Sequence, residues 1–206
     1  SVEQDHIDIY PTMDSYRAAF DGFVDRIPAD GLLVGFGGDA EVRRLAKRAK
    51  SRVRYYALTK DDTGDVLAEW QGAVVAPQHG AQPFDLYIGG TSAGRVLSPL
   101  AGEHNLRNTL AALAIVTEGA DVPLREAITA LGQFQGVRRR QDLVGVADGV
   151  NVYDDFAHHP TAVDETLRAI RSRHSTGALY AVFEPRSATA SRNLHQGDYP
   201  AAFRAA

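Results

Sequence analysis

The pattern that most restricts the fold of this chain lies near its start, where short apolar runs alternate with segments of helical period. Leu32-Leu33-Val34-Gly35-Phe36 is an apolar run bounded by Pro28, Gly31 and the Gly37-Gly38 pair, and it reads as a buried strand. Before it, Asp14 to Ile27 places Tyr16, Phe20, Phe23, Val24 and Ile27 at helical spacing. After it come a basic helix, Glu41 to Lys50, and a second strand, Val53 to Leu58. Strand, helix and strand in succession predict a parallel pair, because parallel neighbours need a crossover of about helix length. Gly35-Phe36-Gly37-Gly38 is then a strand-to-helix turn. It lacks the spacing of a dinucleotide fingerprint, and no G-x-x-x-x-G-K-[ST] motif occurs in the chain.

The character changes from Val66 to Pro99. Trp70 to Val75, Phe84 to Ile88 and Arg95 to Leu97 read as short strands, with a hairpin turn over Gly89 to Gly94. A helix is expected from about Asn105 to Glu118, with Leu106, Leu110, Leu113, Ala114 and Ile115 as its apolar stripe, and another from Pro123 to Leu131. Gln133 to Val137 reads as a linker. Beyond it come strands at Asp142 to Val146 and Val150 to Tyr153, a helix at Thr161 to Arg173 and an apolar strand at Leu179 to Phe183. The return of β, α, β predicts two α/β units, residues 1–134 and 135–206. Opening on Ser1 and stopping at Ala206, the chain reads as an internal piece of something longer.

Composition removes several function classes. The net charge of -4 gives no basic field for nucleic acid, and the absence of cysteine rules out disulfides and thiolate metal sites. The lack of cysteine fits a reducing cytoplasm, no apolar run reaches the roughly 20 residues of a membrane helix, and no signal peptide appears at the start.

Polar groups cluster at four places. Asp154-Asp155-Phe156-Ala157-His158-His159-Pro160 follows a strand and precedes a helix, where open α/β sheets bind ligands. Two carboxylates and two imidazoles there suit metal binding, proton transfer or a polar substrate; equally, an Asp caps the next helix and the histidines pack. Gly102-Glu103-His104-Asn105-Leu106-Arg107-Asn108 opens a helix. Its amides either read the edge of a heterocycle or, for Asn105, cap the helix. Glu3, Asp5, His6 and Asp8 offer oxygen and imidazole ligands for Mg²⁺ or Mn²⁺, or form a solvated acidic end. Arg138-Arg139-Arg140 either clamps phosphate or is exposed, and Glu184-Pro185-Arg186-Ser187 either binds a carboxylate through Arg186 or is a turn. His79, His174 and His195 stand apart from these clusters and receive no role.

Taken in order, Asp5-His6, Gly102-Glu103-His104-Asn105-x-x-Asn108-x-x-Ala111-Ala112, Gly136-Val137-x-Arg139-Arg140 and Tyr153-Asp154-Asp155-Phe156-Ala157-His158-His159-Pro160-Thr161 resemble the Mur ligase family over nearly the whole chain. The resemblance implies part of a central ATP-binding domain followed by part of a Rossmann-like C-terminal domain, in a bacterial, cytoplasmic, ATP- and Mg²⁺-dependent ligase that joins UDP-N-acetylmuramate to an amine in cell-wall synthesis. Within the family, YDDFAHHPTA followed by FEPRS most resembles the branch that adds the tripeptide L-Ala-γ-D-Glu-meso-diaminopimelate in recycling. The branch that adds L-alanine is next, and a non-catalytic nucleotide-binding module remains a third reading. Asp14 to Ile27 holds no lysine, as in the two muramate branches.

Carried over residue by residue, the resemblance implies His6 as a Mg²⁺ ligand and His104, Asn105 and Asn108 at the nucleotide, with His104 and Asn108 flanking the adenine. It implies Arg139 near the phosphates, Asp155 at the ribose or in domain closure, and His158, His159, Arg186 and Ser187 at the amine substrate. Asp155, His158 and Arg139 are the expected catalytic set. The family's phosphate loop and second metal-binding glutamate lie upstream of these motifs, so these residues alone are expected to be inactive.

Overall fold

The computed structural model describes residues 2–76 and 81–206, and His79 falls outside them. Chain order is α1 (Met13–Val24), β1 (Leu32–Phe36), α2 (Ala40–Ala46), β2 (Arg52–Leu58), β3 (Trp70–Val74), β4 (Gln82–Ile88), β5 (Thr91–Ser98), α3 (Glu103–Gly119), α4 (Leu124–Gly132), β6 (Asp142–Ala147), β7 (Val150–Asp154), α5 (Pro160–Arg173) and α6 (Tyr199–Ala202). Strands β1 to β5 form one sheet in sequence order. The pair β1–β2 is parallel, as the strand–helix–strand pattern predicts. Strand β3 also joins in parallel, though residues 59–69 connect it to β2 without a helix. Strands β3 to β5 then run as an antiparallel meander whose turn is only Gly89-Gly90, tighter than the expected Gly89 to Gly94.

Alternation along β1 decides what covers each face of the sheet. Val34 points to a core formed with Leu58, Trp70, Phe84, Leu86, Val96 and the buried stripe of α3, with α4 behind it. Leu33 points the other way, to a smaller cluster of α1 and α2 around Val24, Leu45 and Val2. The stripe on α3 is Leu106, Leu110, Leu113 and Ala114. Ile115, expected with them, is 52% exposed, since each helical step turns about 100° and carries it off the stripe. Likewise Phe23 is exposed on α1, which ends at Val24, short of Ile27. Glu118 at the end of α3 accepts from Trp70 Nε1 at 2.7 Å and from Arg54 Nε at 2.7 Å, locking that end of the helix to β2 and β3. Near the other end, Arg107 grips Asp61 as a two-point pair.

The second unit is slighter. Strands β6 and β7 form a separate hairpin, and α5 packs with Ala190, Tyr199 and Ala202 through Val163 and Leu167. Leu179 to Phe183, expected as a strand, is not one, and Val182 is 99% exposed. A strand is held by a neighbour's hydrogen bonds, and among the described residues nothing pairs with this segment. The two units meet where Gly102, at φ +94°, precedes α3. A Cβ there would lie 2.6 Å from the Cβ of Ala169 on α5.

Two outcomes follow from this packing. Leu110→Ala, which empties a fully buried site on α3, should cost about 2–5 kcal/mol in urea unfolding. Asp61→Asn removes the close carboxylate partner of the largely buried Arg107, leaving it only the more distant Glu103 at 3.8 Å, and should cost on the order of 3 kcal/mol at neutral pH. Although burial alone would raise it, the Arg107 pair holds the Asp61 carboxyl below its ordinary value. The pair's contribution is therefore present above about pH 4 and fades as pH falls through the lowered value. An acid titration of stability should show this step in the parent protein and not in Asp61→Asn.

Candidate functional site

A cleft of about 1270 Å³ opens between α3 and α4 on one side and α5 with its preceding loop on the other. Leu113, Val116, Ala127, Leu131 and Phe134 give it an apolar lining. Its rim carries His104, Asn105 and Asn108 from α3 and Asp155, His159 and Glu165 from the second unit. The heptapeptide at the start of α3 and the Asp-His loop, far apart in sequence, thus face one space.

Helix α3 begins at Glu103 rather than Asn105, and Gly102 occupies the N-cap without a side-chain bond. Asn105 does not cap it. Its Nδ2 donates to Ala101 O at 2.7 Å, tying the helix to the chain before it. Asn108, one turn from His104, is exposed at the cleft. His104 bridges the units: its Nδ1 lies 3.4 Å from Glu165 Oε2 on α5, and its Nε2 lies 3.2 Å from Gln141 Nε2. The neighbouring His104 ring, ahead of the burial that opposes it, holds the Glu165 carboxyl below its usual range.

Asp155 is fully engaged by backbone. One oxygen accepts from Gln141 N–H at 2.8 Å and the other from Ala157 N–H at 2.7 Å. It joins the arginine turn to the histidine loop and does not cap α5, whose N-cap is His159, accepting from Thr161 N. His159 Nδ1 also lies 3.3 Å from Glu3, and its ring meets that of His195 with centroids 4.7 Å apart. Burial pushes the His159 imidazole below its ordinary pKa, with Glu3 opposing and His195 adding to the fall. His158 places Nε2 3.2 Å from Asp5, so the N-terminal segment docks on this loop. Burial acts the other way, but bonds from Thr189 and the His6 backbone, with the nearby His6 and His158 rings, hold Asp5 low.

Other expected residues lie elsewhere. Arg139, at φ +59°, sits 3.4 Å from Asp154 with its guanidinium 4.9 Å from the Phe156 ring centre, while Arg140 lines the cleft. Arg186 is 79% exposed beside Glu184, and Ser187 accepts from Ala190 N; neither lines the cleft. His6 is 59% exposed on a left-handed turn. As a metal ligand it stands nearly alone: among the described residues no group of three or more suitable side chains converges. These residues do not make a Mg²⁺ site by themselves.

The sequence reading passed over Gln141 and Glu165, and over the place of Glu3 and Asp5 on the cleft wall. Glu165 carries no motif signal. Its place four residues after Thr161, on the same helical face, is the sole hint. His195 and His174, given no role from sequence, are both engaged. His174 bonds the Tyr153 hydroxyl at 2.8 Å, and His195 contacts His159.

Residues 1–116 match the model of the Mur ligase middle domain, and residues 139–198 that of the Mur ligase glutamate ligase domain. The UDP-N-acetylmuramate–L-alanine ligase of Saccharopolyspora erythraea is 38% identical over 90% of this chain and 37% of its own length. That of Arthrobacter sp. strain FB24 is 35% identical over 100% of this chain and 42% of its own length. The chain thus spans about two fifths of the curated relatives it matches. In fold it is similar to the UDP-N-acetylmuramate–alanine ligase of Thermotoga maritima, with a TM-score of 0.75, 21% identity and coverage of 99% of this chain and 42% of that one. A murein peptide ligase from Psychrobacter arcticus follows, with a TM-score of 0.63, 25% identity and coverage of 98% and 40%. On sequence and fold together, the chain belongs to the Mur ligase family, with parts of its middle and C-terminal domains in one mixed α/β structure.

Proposed function

We propose that the chain is the nucleotide-facing part of an ATP-dependent ligase that joins L-alanine to UDP-N-acetylmuramate. Residues 1–134 then belong to the ATP domain and residues 135–206 to the amine-binding domain. One observation carries this reading: the cleft is built jointly by residues of both family domains, as an enzyme that works by closing one domain on another requires. The choice of L-alanine over the tripeptide that the YDDFAHHPTA wording implies rests on the curated relatives, whose names are those of L-alanine ligases. The tripeptide reading keeps one support, the likeness to the murein peptide ligase.

A carboxylate is a poor electrophile, and transfer of the γ-phosphoryl group of ATP to the lactyl carboxylate gives it a leaving group. The free amine then forms the amide bond, the bond from carbon to phosphate oxygen breaks, and the amine loses a proton. In this reading His104 and Asn108 hold the nucleotide, Arg139 or Arg140 faces its phosphates, and Asp155 keeps the arginine turn against the histidine loop. His158 and His159 lie where the amine substrate approaches, with Arg186 and Ser187 reaching it only by movement of their exposed segment.

The full-length protein should release ADP from Mg-ATP and UDP-N-acetylmuramate when L-alanine is supplied. Release with L-Ala-γ-D-Glu-meso-diaminopimelate and not with L-alanine would transfer it to the recycling branch, and silence with both would sink the ligase reading. Asn108→Ala should raise KM for ATP about 2- to 10-fold, the worth of one hydrogen bond. An unchanged KM would remove Asn108 from the nucleotide site.

A further inference from the structure

Residues 2–7 belong to the first unit, yet they reach across to the second. One end of this segment is pinned at home. Val2 is buried in the α1 and α2 cluster, and its N–H donates to Asp39 Oδ2 at 2.9 Å. The other end is pinned by a left-handed turn at His6, whose carbonyl accepts from the N–H groups of Ile9 and Tyr10. What lies between is presented to α5 and the loops that flank it.

Asp5 Oδ2 lies 3.2 Å from His158 Nε2, and Glu3 Oε2 lies 3.3 Å from His159 Nδ1. The Gln4 carbonyl lies 3.2 Å from His195 Nε2; a carbonyl only accepts, so that ring nitrogen is the donor. Ile7 N–H donates to the hydroxyl of Thr189 at 3.4 Å, and Thr189, 3% exposed, also bonds Asp5. The second unit sets its half in place with its own bonds. The Tyr199 hydroxyl donates to His158 O at 2.7 Å, His158 Nδ1 lies 3.0 Å from Phe156 O, and His195 Nδ1 lies 3.3 Å from Asp198. Carboxylates and a carbonyl on one side thus face imidazoles on the other. Singly these contacts are weak, since a hydrogen bond shifts an equilibrium about 2- to 10-fold and a partly exposed ion pair less. Between two rigid bodies, each contact made raises the effective concentration for the next. Such a set holds two bodies together and still lets them part, as a site that must admit substrates requires.

We infer that residues 3–7 are a clasp that closes the second unit on the first before any ligand binds, with Glu3, Asp5 and the backbone of Gln4 and Ile7 as one half and His158, His159, His195 and Thr189 as the other. The clasp's role rests on the reading that the enzyme works by closing one domain on another. It assigns the closed state of the ligand-free protein to the chain's own contacts.

The test is the distance between the units in the full-length protein. Double electron–electron resonance reads it from spin labels at Asp30→Cys and Ser175→Cys, exposed positions of the first and second units, as the sole labelled cysteines. Without ligand, the parent protein should show chiefly one narrow distance, that of the docked units. His195→Ala combined with Thr189→Val should lower the ratio of docked to longer distances about tenfold, at about threefold for each bond. Glu3→Ala should lower it about twofold. Its side chain is 40% exposed, so this variant carries the test if the buried Thr189→Val does not fold. Long or broad distances in the ligand-free parent, or a distribution that neither variant moves, overturn the clasp. If the ligand-free parent is open and saturating Mg-ATP with UDP-N-acetylmuramate closes it, the clasp alone fails and the ligase reading stands. Those substrates should also restore the docked distance in the variants. If the variants loosen as expected and the substrates restore nothing, the clasp stands and the reading beneath it fails.

Discussion

How closely α3 lies on the sheet controls nearly everything at the cleft, and Gly72 on β3 sets that approach. A Cβ at Gly72 would meet Leu110 Cδ1 at 3.2 Å, Phe84 at 3.3 Å and Leu58 at 3.4 Å, so even an alanine there would require these core side chains to give by a few tenths of an ångström. With the helix seated, Leu106, Leu110 and Leu113 fill the core, and helical geometry turns His104 and Asn108 outward from the same segment. Glu118 and the Arg107–Asp61 pair then stop the helix from sliding or rolling. The α3 side of the cleft is therefore anchored to the core beneath it, which helps a site hold a ligand in one geometry.

The second unit draws its position from the first. Its own buried cluster is small, five residues around Val163 and Tyr199, and its hairpin exposes Leu143, Val144, Val146, Val150 and Val152. Contacts with the first unit supply what that core does not. Ala169 abuts Gly102, Glu165 reaches His104, and Asp5 and Glu3 reach His158 and His159. Most of these are polar and sit at the cleft edge. Such contacts contribute little net stability where they are wet, yet they are directional, and so they set an orientation more than they bind.

The legible part of this structure was the part that rests on local pattern. The parallel β1–β2 pair, the stripe on α3 and the Asp-His loop between β7 and α5 all follow from periodicity and turn residues. Leu179 to Phe183 shows where that reasoning ends, because apolar character makes a segment suited to a strand but only a partner makes it one. The parallel entry of β3 through residues 59–69 was equally hidden, since nothing local marks which edge a strand will join. At the site, residues in dense polar motifs stood out. Gln141 and Glu165 did not, because their chemistry comes from neighbours brought in from distant sequence: Asp155 for one, His104 for both.

The charges of the cleft bear on how a nucleotide would lie in it. Glu3, Asp5, Glu126, Asp155 and Glu165 line it against Arg140 as the one arginine among its described lining residues. Asp155 is spent on two backbone N–H groups, and Glu165 faces His104, yet the balance stays acidic. A triphosphate pushed into this space would meet like charge in a partly desolvated setting, where repulsion is poorly screened. A neutral heterocycle meets no such barrier and gains from the apolar wall of Leu113, Val116 and Leu131. The arrangement would therefore favour a base against the apolar side chains, with the phosphates toward the turn that bears Arg138, Arg139 and Arg140.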